Sequence, residues 1–110
     1  MASPVLVNGV TGVLATPIFV RGEDVNIIGY HIYNPSNATA FVQFFDTLLA
    51  PTVGTTVPMW SIGIPTLVHA FMSFQPAGLY FGIGLWVAAT TTVGGSGAPS
   101  AAVNVNLAMS

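Results

Sequence analysis

The sequence predicts an all-β chain folded as one small β-sandwich, jelly-roll-like, with about eight strands. Three observations carry this. Short runs of β-branched and aromatic residues are punctuated by Gly, Pro, Asn and Thr clusters, at a spacing of roughly 8–15 residues. No long segment repeats its apolar residues with the period of a helix. The length, 110 residues, suits a single domain with one core, spanning 1–110.

The elements follow in order. Residues 4–8 read as a short strand or as part of an extended N-terminal arm over residues 1–8. Residues 13–20 read as a strand, with Pro17 marking an edge or a bulge. Arg21, Gly22, Glu23 and Asp24 make a polar turn. Residues 25–34 and 39–46 are strands, and the turn residues Pro35, Ser36 and Asn37 between them predict a hairpin. Residues 48–57 form a loop. Residues 58–64 alternate, placing Trp60, Ile62 and Ile64 on one face. Residues 67–74 fit a strand or one helical turn, and residues 75–78 a turn.

Residues 79–88 read as one strand. Leu79, Phe81, Ile83, Leu85 and Val87 would face the core, and Tyr80, Gly82, Gly84 and Trp86 the other side. Residues 93–102 make a flexible loop around Gly94, Gly95, Ser96 and Gly97. Residues 103–109 alternate, with Asn104 and Asn106 on the wet face. Trp60, Phe71, Met72 and Phe74 are assigned to the core.

Charge narrows the function. Asp, Glu, Lys and Arg make up 4% of the chain, against about 25% in an ordinary soluble domain. They are Arg21, Glu23, Asp24 and Asp46. A surface this poor in charge is expected to be covered by partner subunits. One cationic side chain cannot neutralise several phosphates, so no nucleic-acid partner is expected. The most apolar window, residues 67–89, contains His69, Gln75 and Pro76 and has no basic flank, so no membrane span is expected. The absence of Cys removes disulfides, thiolate zinc sites and thiol catalysis. Residues 1–4 lack the basic and apolar regions of a signal peptide.

Little chemistry is on offer. His31 and His69 have no carboxylate beside them in sequence, and no metalloprotease, nucleophile-elbow or phosphate-loop motif is present. Glu23 and Asp24 supply too few ligands for a cation. The expectation is a non-enzyme with no catalytic, metal or cofactor-binding residues. His31 would be a hydrogen-bonded strand histidine, and His69 a core or interface one. The interface candidates are Tyr30, Tyr80, Gly82, Gly84 and Trp86. Aromatic side chains anchor interfaces, and glycines admit close backbone approach.

From Gly29 to Pro58 the chain reads GYHIYNPSNATAFVQFFDTLLAPTVGTTVP. This resembles a pattern of small tailed-bacteriophage and prophage structural proteins: a strand ending in Tyr33-Asn34, then an aromatic strand with Phe41 and Phe44 ending at Asp46. A loop with Pro51 and Gly54 and then Pro58 follow. Gly78, Phe81, Gly84 and Leu85 are similar to the pattern's later strand, so the likeness reaches about residue 89. Two departures stand out. Gln43 replaces a commonly basic residue, and the segment before the last strand is Gly/Ser/Ala-rich instead of acidic. The resemblance implies a β-sandwich virion protein of the capsid decoration or cement type. It would be a homotrimer resting on the major capsid protein, in a virion assembled in the host cytoplasm. A tail, fibre or vertex adaptor is the alternative, and a small oligomeric membrane or pore protein a more distant one.

Overall fold

The computed structural model describes residues 6–74 and 78–110, with side chains from residue 12 onward. Nine strands and no helix are found among them. They are β1 (Leu6–Val13), β2 (Ile18–Arg21), β3 (Val25–Tyr33), β4 (Ala40–Phe45), β5 (Trp60–Ile64), β6 (His69–Ser73), β7 (Leu79–Phe81), β8 (Leu85–Thr90) and β9 (Val103–Met109). The first sheet runs β1-β9-β3-β6, with β7 also on β3, and the second runs β2-β8-β4-β5. All pairings are antiparallel.

This order is a rolled-up hairpin. The pairs β4·β5, β3·β6, β2·β8 and β1·β9 are successive rungs of one long antiparallel ribbon. Rolling the ribbon brings β9 beside β3 and β8 beside β4, which closes two sheets over one core. The result is the jelly roll that the strand pattern predicts, with β7 as an addition.

The core is built by alternation. In β9, Val103, Val105, Leu107 and Met109 are buried, while Asn104 and Asn106 are half-buried on the outer face. Val42 and Phe44 of β4, Ile64 of β5 and Leu85, Val87 and Ala89 of β8 meet them from the other sheet. In β3 the alternation slips. Val25 and Ile27 point inward, and then so do Tyr30 and Ile32. A register shift against β9 between Ile27 and Gly29 inserts the extra residue. Tyr30 is consequently turned into the core, where Trp60 and Phe74 pack on it, and is withdrawn from the set of interface candidates.

Other expectations are corrected. β3 and β4 do not form a hairpin. Each is apolar enough to sit centrally in a sheet, and they sit in different sheets joined by an arch. The strand expected over residues 13–20 breaks before Ile18, because Pro17 has no N–H to carry the ladder across a change of sheet. The strand expected over residues 79–88 splits into β7 and β8, again in different sheets. The ambiguous residues 67–74 contain strand β6, an edge strand that leaves Phe71 and Met72 exposed instead of in the core. The expected arm at residues 1–8 and turn at residues 75–78 lie largely outside the described residues, though Leu6 already belongs to β1.

Residues 91–102 lie irregularly over the outer face of the second sheet, with Pro99 buried. Beneath them, fully buried Gln43 donates through Nε2 to Thr90 Oγ1 at 2.5 Å and more weakly to Gly95 O at 3.4 Å, while its Oε1 has no partner. A buried, half-satisfied amide contributes little net stability. The double variant Gln43→Met, Thr90→Val is therefore expected to stay within about 1 kcal/mol of the parent in urea unfolding. A loss of several kcal/mol would mean that this polar pair pins the covering loop.

Candidate functional site

The richest surface feature is built around the bend between β7 and β8. Asp46, at the end of β4, accepts three backbone hydrogen bonds from the bend: Gly82 N at 3.1 Å, Ile83 N at 2.9 Å and Gly84 N at 3.2 Å. Gly84 lies so close to its neighbours that a Cβ there would sit 2.7 Å from Thr47 O and 3.0 Å from Arg21 O. Its freedom from a side chain thus serves the fold, and it is too buried to meet a partner. The bend holds Ile83 outward, although the alternation places it in the core.

Beside the bend, Trp86 packs edge-to-face on Phe19 at 5.3 Å, and its Nε1 donates to Leu48 O at 3.3 Å. Phe19, Leu48, Leu49 and Ile83 are all large, apolar and exposed. The position of a Cβ on Gly22 would touch both Phe19 and Leu48, which shows how closely those two approach. Exposed Tyr80, on the other sheet, leans over Gly82. The Arg21–Glu23 ion pair, at 2.9 Å, lies at the patch margin. An apolar, aromatic centre with charge at its rim is the anatomy of a protein interface. Of the interface candidates, Trp86, Gly82 and Tyr80 belong to this region, and Tyr30 and Gly84 are internal. Sequence reasoning missed Phe19, Leu48, Leu49 and Ile83; Phe19 reaches Trp86 through the β2–β8 pairing, Leu48 reaches both from the end of β4, and Ile83 is turned out by the bend.

No family model, curated protein or solved structure matches this chain.

The residues that carry the expected resemblance are mostly architectural. Asn34 is fully buried in a hydrogen-bond knot, and Pro51 is buried. Gly54 has φ +93°, and a Cβ there would meet Ser96 Cβ at 2.8 Å. Only glycine is comfortable in that conformation at that distance. Pro58 borders a cleft of about 500 Å³ between residues 54–61 and Val93–Gly94. Thr55, Val57, Met59, Ser61 and Val93 line it, and no titratable group does. It offers shape and weak polar contacts but no proton transfer.

Tyr33 belongs to a second cluster, on the outer face of the first sheet. His31 Nε2 and His69 Nδ1 lie 3.0 Å apart. Tyr33 stacks on His69 at 4.2 Å, and Phe71 on His31 at 4.5 Å. His69 is exposed, not in the core. No group of three or more His, Cys, Asp or Glu is found among the described residues. Burial pushes the Tyr30 phenol up from its usual value, which keeps it protonated inside the sandwich.

Proposed function

We propose that this chain is a structural virion protein, a capsid cement or decoration protein that stabilises a phage head by bridging major capsid subunits, acting as a homotrimer. The observation that carries the reading is the patch of Phe19, Leu48, Leu49, Ile83 and Trp86 on a chain with 4% charged residues. A free-standing domain would be expected to carry charge there. The likeness of residues 29–89 to phage structural proteins supports the same reading. So does the jelly roll, which recurs in viral capsids, though only as a fold-level analogy.

The mechanism is burial. Each copy seated across two capsid subunits covers apolar area that rupture of the shell must expose. At about 25 cal/mol per Å², some 400 Å² contributes roughly 10 kcal/mol before the costs of association. Because few charges take part, attachment should survive roughly molar NaCl, where the screening length is about 3 Å. Leu49→Asp should leave the isolated domain within about 0.5 kcal/mol of the parent, since Leu49 is 78% exposed, yet strip it from particles. Occupancy on purified particles, read by gel densitometry after a salt wash, checks both. Steep loss of the parent protein in salt, or full occupancy by the Leu49→Asp variant, would overturn the reading. Immunogold labelling of intact particles tests location: a head-wide pattern supports a cement protein, and a signal confined to one vertex or the tail makes it an adaptor.

A further inference from the structure

We infer that His31 and His69 form a two-imidazole site for a late first-row divalent cation such as Zn²⁺, Ni²⁺ or Cu²⁺. The site lies on the outer face of the first sheet, and the inference is independent of the capsid reading.

The strand register makes the site. Antiparallel pairing sets His31 opposite Phe71 and Tyr33 opposite His69, so the two histidines are diagonal neighbours on one face. Their facing nitrogens are 3.0 Å apart. A metal at about 2.0–2.1 Å from each would subtend an angle near 94°. That is the cis angle of square-planar and octahedral sites, which Cu²⁺ and Ni²⁺ favour. A tetrahedral Zn²⁺ needs the nitrogens to part by a few tenths of an ångström. Because the ring centroids are 5.2 Å apart, the facing nitrogens point almost at each other, so ligation of either kind also requires both rings to pivot toward the cation.

The rings are restrained by stacking. Phe71 lies 3° from parallel with His31, Tyr33 lies 24° from parallel with His69, and the two imidazoles are 18° from parallel with each other. Each imidazole thus has an aromatic ring on one face, which limits the rotamer freedom that ligation would otherwise remove. The electrostatic surroundings are permissive. Asn104 and Asn106 of β9 flank the pair, and the Asn106 amide donates to His31 O. Arg21, Glu23 and Asp24 precede β3, with Asp24 seven residues from His31, about 23 Å along an extended strand.

Without metal, one nitrogen donates its proton to the other. On ligation, the donor ring shifts to the tautomer with hydrogen on its far nitrogen, and both facing lone pairs turn to the cation. No proton need leave the pair. Imidazole nitrogen is a preferred ligand for these metals. Two protein ligands leave the remaining positions to water or to a donor from another molecule, so the site would exchange readily.

The chain has only two histidines, so every imidazole signal in its proton NMR spectrum reports on this pair. Titrating the full chain with ZnCl₂ is expected to move both histidine spin systems together, saturating at one equivalent per chain, and NiCl₂ to broaden both. By calorimetry, His31→Gln and His69→Gln should each weaken Zn²⁺ uptake by more than the roughly 10–100-fold typical of losing an outer-shell partner. Histidine signals that stay still at millimolar Zn²⁺ would overturn the inference. So would uptake within tenfold of the parent in either variant, which would place the metal elsewhere.

Discussion

Asn34→Ala is expected to lower unfolding stability by about 3–4 kcal/mol, a large share of the roughly 5–15 kcal/mol of an ordinary domain. The residue is fully buried. Its Nδ2 donates to Ala38 O at 2.9 Å and Ile64 O at 2.8 Å. Its Oδ1 accepts from Ser36 N at 3.0 Å and Ser36 Oγ at 2.5 Å. Its main chain exchanges bonds with the β5–β6 turn, through Val68 O and Leu67 N. One side chain therefore knots the β3–β4 arch to a turn some thirty residues on, where Leu67 is held at φ +58°. Truncation removes four bonds, worth about 1 kcal/mol each, and strands buried partners.

Asn34→Asp separates the donors from the acceptors. The introduced carboxylate would still accept from Ser36, but it would face two carbonyls that need donors. A protonated carboxyl relieves one of them, so its folded-state pKa would be raised. The folded state would then hold the proton more tightly than the unfolded one, and stability would fall as pH rises. The variant should be more stable at about pH 4 than at pH 7. Urea midpoints across that range check this. A loss below about 1 kcal/mol in Asn34→Ala would show that water replaces the knot.

Individual strands were legible because alternation is a local signal. Residues 103–109 can be read directly, since they bury one face against the core, whereas β4 over residues 39–46 is legible as an apolar, aromatic run buried on both faces. Sheet membership is not local. Pro35, Ser36 and Asn37 suit an inter-sheet arch as well as a hairpin, and nothing in β3 or β4 says which neighbour each will take. A bulge is equally silent: Ile27-Ile28-Gly29 looks like uninterrupted strand, yet it turns Tyr30 inward and sets His31 and Tyr33 outward. The apolar patch and the histidine pair share this origin. Phe19 and Trp86 meet through the β2–β8 register, and His31 and His69, 38 residues apart, meet through the β3–β6 register. Asp46 and Gly84 are both visible in the sequence, as a carboxylate closing an aromatic strand and a glycine within an apolar run, but their shared role in the bend depends on distances that no spacing encodes.

That bend gives the second large effect. Gly84→Ala is expected to cost about 3 kcal/mol, at the upper end of the range for overpacking. The obstructing atoms are the main-chain carbonyls of Thr47 and Arg21, which cannot rotate aside as a side chain would. Asp46→Ala should cost about 2 kcal/mol. Three N–H groups lose a charged acceptor, but two of these bonds are exposed, so water recovers part of the loss. Asp46→Asn should fall between, because its single amide oxygen can still accept from Ile83 and Gly84, with bonds roughly half as strong, while its NH2 cannot accept from Gly82. Both residues hold the same bend, so their effects should not add. Once the methyl has displaced Gly84, its bond to Asp46 is already compromised, and the double variant should be more stable than the sum of the single losses by about 1 kcal/mol. Additive losses in a urea double-mutant cycle would separate the two roles. The same bend aims Ile83 and begins the strand that carries Trp86. On the proposed capsid reading, Asp46→Asn, the mildest of these changes, should therefore reduce occupancy on particles at temperatures where the domain remains folded.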